Sequence, residues 1–412
     1  MERVVITGMG AISPIGNTTE TFWNNLIKGV SGISNIDSFN TDEYKSKIAG
    51  VVKNFDATEL LGRKESRKLD RFAQFALVAA EEAWIDSKLE DSEIDPERIG
   101  VYIGSGIGGI QSLLDSIDTL RKKGPSRVSP TLVPAMIANA AAAQVSIRFQ
   151  AMGPSMAPVS ACAIGNTAIG EAFKVIQTGE ADVIFAGGFE AAITEISLSS
   201  FGNAKALSER NRVPAEASRP FDSERDGFVM AEGAGILILE SLSSALRRGA
   251  HIHGEIIGYG ASSDAYHMVT PHPEGKGAFL AMKKALSNAN LTIKDIDVIS
   301  AHATSTFAGD LAETNAIKQL FGDQVYSIPI TANKSMLGHM LGAAGGIEAI
   351  ALINSLNKGI IPPTINLTNP DLQCDLDYTP NVSKNAEMSI GLSNSFGFGG
   401  HNAAIIIRKY HS

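Results

Sequence analysis

The chain has 412 residues, 44% of them hydrophobic and 19% charged, a composition that excludes a disordered or low-complexity protein and allows one large domain or two ordinary ones. Its formal net charge of −9 argues against a general nucleic-acid binder, because phosphate contacts need a basic surface. No run reaches the roughly 20 apolar residues that cross a bilayer, and two cysteines build no disulfide framework, so we expect a cytoplasmic protein without membrane or nucleic-acid partners.

In chain order, "RVVITGMG" starts the chain on a strand and a glycine-rich turn. The segment "GRKESRKLDR", Gly62 to Arg71, then carries five basic residues and two acidic ones, with Lys123 and Arg127 as a lesser basic group. Such a cluster is either a solvated helix face or a dock for an acidic partner. "RIGVYIGSG" is the next strand, and the following "GSGIGG" formally contains a GxGxxG pattern at Gly104, Gly106 and Gly109. We reject a dinucleotide site there, because Lys123 and Gly124 stand where an acidic strand-end residue would have to lie.

The stretch "VSACAIGNTAIGEAFKVI" holds Cys162. Upstream, "SMAPVSA" has a strand pattern; downstream, Ala168, Ile169, Ala172, Phe173 and Ile176 recur at the spacing of one buried helix face. Cys162 therefore belongs at a strand-to-helix turn, where free N–H groups can stabilise a thiolate or a developing oxyanion. Ala161, Ala163 and Gly165 leave room for a carbonyl to approach. Taken alone, the thiol is either a buried small hydrophobe or a nucleophile. Cys374, in "DLQCDLD", lies between acidic residues that disfavour a thiolate.

Further apolar runs, "ADVIFAGG", "GILILE", "GEIIGYG", "DVISAHAT", "SIPITANKS", "GLSNSFGFGG" and "NAAIIIRK", alternate with helical patterns and imply a layered α/β fold. A helix ends and a new strand series begins near residue 250, dividing the chain into halves 1–250 and 251–412. Each half ends a strand in a chemically unusual residue, Cys162 in the first and His302 in the second, which hints at an old duplication. No GxSxG elbow, Walker loop, HExxH or CxxC motif occurs.

Of the eight histidines, His302 in "ISAHATST" and His339 in "NKSMLGHMLGAAGG" stand out, each following an apolar run among small residues. Singly, each reads better as a hydrogen-bonded core histidine. With Cys162 they form a set with a definite use: a cysteine takes an acyl group as a thioester, and neutral histidines donate to an oxygen that becomes negative. Two such donors could stabilise the enolate left when a malonyl thioester loses carbon dioxide.

The stretches "SACAIGNTAIG", "ASRPFDSERDGFVMAEGAG", "DAYHMVTPHPEGKG", "AHATSTFAGDLAET", "NKSMLGHMLGAAGGIEAI", "IPPTINL" and "NSFGFGGHN" resemble, in order and spacing, the β-ketoacyl-acyl carrier protein synthases, most closely the elongating type 2 class. The resemblance covers essentially the whole chain. It implies a thiolase-like fold of two similar α/β halves in five α-β-α-β-α layers, normally a homodimer with acyl carrier protein as partner and no cofactor beyond the carrier's phosphopantetheine arm.

Carried over by position, the resemblance makes Cys162 the acyl-accepting nucleophile and His302 with His339 the decarboxylation pair. Lys334 falls beside that pair and counts with it as catalytic, and Glu348 supports it. The N–H groups of Cys162 and Phe398 become the oxyanion hole, with Phe398 also the gate. Thr304 and Thr306 hold the pantetheine arm, Ile107 and Phe201 line the acyl pocket, and Lys64, Arg67 and Lys68 dock the carrier. Ala303 replaces a commoner glycine, Ile164 and Asn166 alter the usual nucleophile motif, and Thr131 and Leu132 stand where two phenylalanines usually close the far end of the pocket from the partner subunit. Those departures bear on chain length and admit a polyketide or other specialised paralogue. A non-catalytic chain-length subunit fits poorly, since Cys162 is present.

Overall fold

Nine residues from Val4 to Ile12, every one buried, form the first strand, β1, and a computed structural model describes the chain from it outward over residues 1–411. The other strands of the main sheet are β2 (Ile99–Gly104), β3 (Ser155–Met156), β4 (Val183–Glu190), β5 (Gly233–Ser241), β6 (Gly254–Ser263), β7 (Val298–Ser300), β8 (Ile330–Thr331), β9 (Ile390–Gly397) and β10 (His401–Arg408). Their spatial order is β8-β7-β9-β10-β6-β1-β5-β4-β2-β3. Counted within each half, both halves read third, second, fourth, fifth, first. The directions repeat too, since the first three neighbours from each outer edge run parallel and the last two join antiparallel.

The halves meet where β1 pairs antiparallel with β6 through Val4–Ile256, Val5–Glu255 and Ile6–Gly254. Glu255 clamps this seam, binding Arg3 at 2.8 Å and Arg408 at 2.7 Å. Strands buried on both faces read as the near-continuous apolar runs seen in the sequence.

The layers on and between the sheet halves are built by α1 (Arg71–Ser87), α2 (Ala140–Phe149), α3 (Ile164–Gln177), α4 (Lys276–Asn288), α5 (Phe307–Phe321) and α6 (Ala344–Lys358). Helices α1 and α2 cover the outer face of the first half, and α4 with α5 that of the second. Between them, α3 and α6 touch strands of both halves and each other, giving the five layers. The two central helices approach backbone to backbone, for a Cβ on Gly165 would lie 2.4 Å from the Gly346 nitrogen and one on Gly345 2.6 Å from the Asn166 nitrogen. This contact explains the small residues of "CAIGNT" and "LGAAGG", which no larger side chain could replace.

Two sequence expectations change. Strand β3 covers only Ser155–Met156 rather than all of "SMAPVSA", because Pro158 has no N–H with which to extend the ladder. And the counterpart of Cys162 is not His302. Cys162 follows the third strand of its half in a 3₁₀ turn, Ala161–Ala163, that leads into α3; the matching turn of the second half is Leu341–Ala343, leading into α6. The residues opening these turns share a left-handed backbone, φ +50° at Ala161 and +47° at Leu341. His302 instead follows the second strand, where the first half has the loop after β2.

Candidate active site

Ala161 is forced left-handed by the sharp exit from the edge of the sheet, and this turn lifts Cys162 to the N-terminus of α3. No side chain caps that N-terminus. The Sγ instead has the backbone N–H groups of Phe398 and of Cys162 itself directed at it. Gly397 must be glycine here, because a Cβ would come 2.9 Å from the Cys162 nitrogen. Burial pushes the thiol up to about 12, against the nearby positive charge of Lys334 and with a further upward push from Glu190. The N–H groups of Phe398 and Cys162 favour the thiolate, but desolvation of the charged form outweighs them.

Cys162 opens into a cavity of about 460 Å³ whose wall also carries His302, His339, Ile107, Phe201, Thr304, Thr306 and Phe398. His302 sits just past β7, on a loop with φ +31° at Ala303 and +70° at Ser305. The left-handed backbone at Ala303 is one that glycine adopts freely, whereas a Cβ in that region costs about 1–2 kcal/mol. Two carboxylates of α5 hold the loop. Glu313 accepts from the His302 and Ala303 nitrogens, both at 2.8 Å, and Asp310 accepts from the Ser305 nitrogen at 3.1 Å.

His339 stands beside His302 with ring centroids 5.4 Å apart and planes at 89°. Burial, the charge of Lys334 and, for His302, the neighbouring His339 keep both imidazoles well below the ordinary value of 6.5, so both are neutral at physiological pH. Phe228 packs edge-on to His339 at 5.3 Å and fixes its plane.

Lys334 is buried and paired through Nζ with Glu348 Oε1. Burial pushes the Glu348 carboxyl upward and Lys334 pulls it down. The pair lies behind the histidines rather than on the cavity wall, so Lys334 acts on them through its field and is a positioning residue. Thr304 and Thr306 face each other with hydroxyls 3.2 Å apart at the start of α5. Phe398 tilts against Phe201 at 6.2 Å, and the Gly399 nitrogen donates to the Met268 carbonyl at 2.7 Å, tying down the glycine turn that carries the ring.

Thr131 and Leu132 are not on this wall. They belong to an exposed segment ending in the short helix Leu132–Met136. Lys64, Arg67 and Lys68 are exposed on the surface before α1. Asn166, one of the unusual residues of the nucleophile motif, is fully buried and donates to the Ser393 carbonyl at 3.0 Å, so it joins the central layer to β9. Ile164 is likewise core.

Three groups escaped the sequence reading. Glu313 and His272 both reach the cavity, and both lie in stretches that carry the resemblance although it assigns no role to either. The third is Glu190, the only charged residue of "VIFAGGFE" and fully buried at the end of β4. Its carboxylate accepts from the Gly106 and Ile107 nitrogens at 2.8 and 3.3 Å, so the glycine-rich loop that mimics a dinucleotide motif wraps a protein carboxylate instead of a phosphate.

Residues 1–245 match the family model "Beta-ketoacyl synthase, N-terminal domain" and residues 253–368 the model "Beta-ketoacyl synthase, C-terminal domain". The chain belongs to the beta-ketoacyl synthase family. It is 50% identical over 409 residues to 3-oxoacyl-[acyl-carrier-protein] synthase 2 of Synechocystis sp., covering 99% of this chain and 98% of that one. The enzyme of the same name from Staphylococcus aureus is 48% identical over 411 residues, covering 100% and 99%. Among solved structures, a beta-ketoacyl synthase from Burkholderia phymatum superposes with a TM-score of 0.92 at 33% identity over the full length of both chains. A chain from the complex of a type II polyketide acyl carrier protein with its ketosynthase bound to the hexaketide also gives 0.92, at 37% identity and full coverage of both. Among the described residues of this synthase, no helix is long and apolar enough to cross a membrane.

Proposed function

We propose that this beta-ketoacyl synthase condenses an acyl chain held as a thioester on Cys162 with malonyl-acyl carrier protein, yielding 3-oxoacyl-acyl carrier protein and carbon dioxide in fatty acid elongation. The observation that carries the reading is one cavity wall shared by a cysteine at a helix N-terminus and two neutral histidines.

In the first half-reaction Cys162 loses its proton and its sulfur attacks the carbonyl of the acyl-carrier thioester; the carrier's thiol leaves with a proton. In the second, the malonyl carboxylate departs as carbon dioxide and its bonding pair forms an enolate, whose oxygen takes hydrogen bonds from His302 and His339. The enolate carbon attacks the acyl-cysteine carbonyl, the N–H groups of Cys162 and Phe398 receive the oxyanion, and collapse expels the Cys162 sulfur. Neutral imidazoles suit this task because each keeps a donor without giving up its proton. The reaction runs on these groups and the carrier's phosphopantetheine arm, with Thr304 and Thr306 holding the arm, Ile107 and Phe201 lining the acyl path, and no resident cofactor.

The carrier, acidic by this reading, docks on Lys64, Arg67 and Lys68, and the synthase works in the cytoplasm as a homodimer. Support for the dimer comes from β3, an edge strand of the main sheet flanked by exposed Met152 (69%), Met156 (50%) and Val159 (59%), a combination that invites pairing with a second copy.

Full-length similarity to a chain from a polyketide ketosynthase complex favours a second reading, in which the acyl chain is a specialised one. One experiment tests both. Wild type and Cys162→Ala are incubated with acyl carrier proteins bearing saturated chains of graded length or β-keto chains, and the adducts are mapped by mass spectrometry. Elongation predicts saturated adducts on Cys162 alone and none in the variant. Adducts from β-keto chains only would favour the specialised reading, and an adduct on Cys374 would remove the proposed nucleophile.

A further inference from the structure

Glu190 is buried without a basic partner within ion-pair distance among the described residues, an expensive place for a carboxyl group. It is stabilised by four donors drawn from two different walls of the cavity. From the loop after β2 come the Ser105 hydroxyl at 2.6 Å, the Gly106 nitrogen at 2.8 Å and the Ile107 nitrogen at 3.3 Å. From the turn after His339 comes the Gly342 nitrogen at 3.1 Å. Oε2 alone bridges Gly106 and Gly342, and a Cβ on either glycine would come within 2.9 Å of it, so both walls close down on this one oxygen. Ser105 extends the clamp by accepting from the Gly108 nitrogen at 2.9 Å.

The bridged elements are topological counterparts of the functional ones. The 105–107 loop holds the place in the first half that the His302 loop holds in the second, and Gly342 holds the place of Cys162. Ile107 is the apolar side chain this arrangement delivers to the cavity into which Cys162 opens, and Leu341 of the other bridged turn lines the same cavity. We propose that Glu190 is a positioning residue that sets acyl-chain specificity, by fixing the Ile107 wall against the turn that follows His339. The inference rests on the reading of the cavity as an acyl-cysteine site. A chain of a few carbons on Cys162 has little contact with that wall, whereas a longer one must run along it, so loosening the clamp penalises long chains selectively.

The test compares kcat/KM for hexadecanoyl-like and butyryl-like carrier substrates in wild type, Glu190→Gln, Glu190→Asp and Ser105→Ala, together with thermal melting. Glu190→Gln puts an amide donor against backbone donors and should lower the long-to-short ratio about tenfold. Glu190→Asp keeps the charge but is too short to span both walls, so it should not restore the ratio; full restoration would reduce Glu190 to a local charge and overturn the proposal. Ser105→Ala removes one donor and should shift the ratio about threefold in the same direction, and it decides the matter if the Glu190 variants do not fold. A ratio within twofold of wild type in a folded Glu190→Gln, or in Ser105→Ala where Glu190→Gln is unfolded, also overturns it. Absence of any acyl adduct on wild-type Cys162 would instead overturn the underlying functional reading.

Discussion

The two histidines illustrate how one buried charge sets the state of its neighbours. Lys334 is paired with Glu348, and its field and above all the low dielectric of the site hold both rings neutral, the form that can donate without competing for the proton. Replacing either ring by Ala should slow malonyl decarboxylation by about 100-fold, the usual order for losing one donor to a developing oxyanion. Acylation of Cys162 should fall much less, because that step uses the backbone donors of Cys162 and Phe398. Since each pKa is lowered, protonation sets in only at acid pH, and the decarboxylation rate of wild type should stay level from roughly pH 6 to 8 rather than rise through the ordinary histidine value. A sigmoidal rise centred near 6.5, or equal loss of both half-reactions in each variant, would contradict this account.

At the scale of elements, the basic segment before α1 divides its charges between two tasks. Arg71 is spent internally: it binds Glu232 at 2.7 Å and stacks over Phe75 at 4.5 Å. Glu65 is taken up by Arg148 at 3.2 Å. What remains facing solvent is Arg63, Lys64, Arg67 and Lys68, a net positive face on a chain of net charge −9. Reversing Lys64 and Lys68 to Glu should raise KM for a carrier-bound substrate severalfold, and the wild-type KM should itself rise with salt over the range where surface charges are screened. A pantetheine-linked substrate without the carrier should be turned over unchanged. If neither salt nor reversal alters KM, the carrier docks elsewhere.

Elements also show what was legible in the sequence. The apolar runs from "RVVITGMG" to "NAAIIIRK" that read as strands each hold a strand of the main sheet, and the periodic face of Ala168, Ile169, Ala172, Phe173 and Ile176 is the buried face of α3, because burial on both sides leaves composition little freedom. The Cys/His/His set was legible because small residues flank each member. Glu190 and Glu313 were not, since an acidic residue at the end of an apolar strand, like Glu190, or inside a helix, like Glu313, looks the same whether it faces water or receives backbone donors. The pairing of Cys162 with the 341–343 turn was hidden for a different reason: it lies in strand order and backbone sign, and neither leaves a residue pattern.

On the scale of the molecule, the repeated topology places two helix N-termini head to head at the centre, one carrying the nucleophile and the other following His339. Neither half holds a complete site, because Cys162 and Ile107 come from the first and His302, His339 and Phe398 from the second. Under the homodimer reading the acyl path extends the same logic to a second copy. Thr131 and Leu132 do not reach the cavity of their own chain, so under the homodimer reading they bound the pocket of the partner. Met156→Arg, on the β3 edge, should then convert dimer to monomer by sedimentation, through a charge placed in an apolar contact. Leu132→Phe should shorten the longest chain accepted by the dimer while sparing butyryl transfer. A buried methylene contributes about 0.8 kcal/mol, so denying contact to two or three carbons should shift preference by one to two orders of magnitude. In the Met156→Arg monomer the same Leu132→Phe change should have no effect on chain length, because the residue no longer meets any pocket. Uniform loss of activity on all chain lengths in the dimer would mean that Phe at position 132 overpacks its own surroundings and that the pocket ends within one chain.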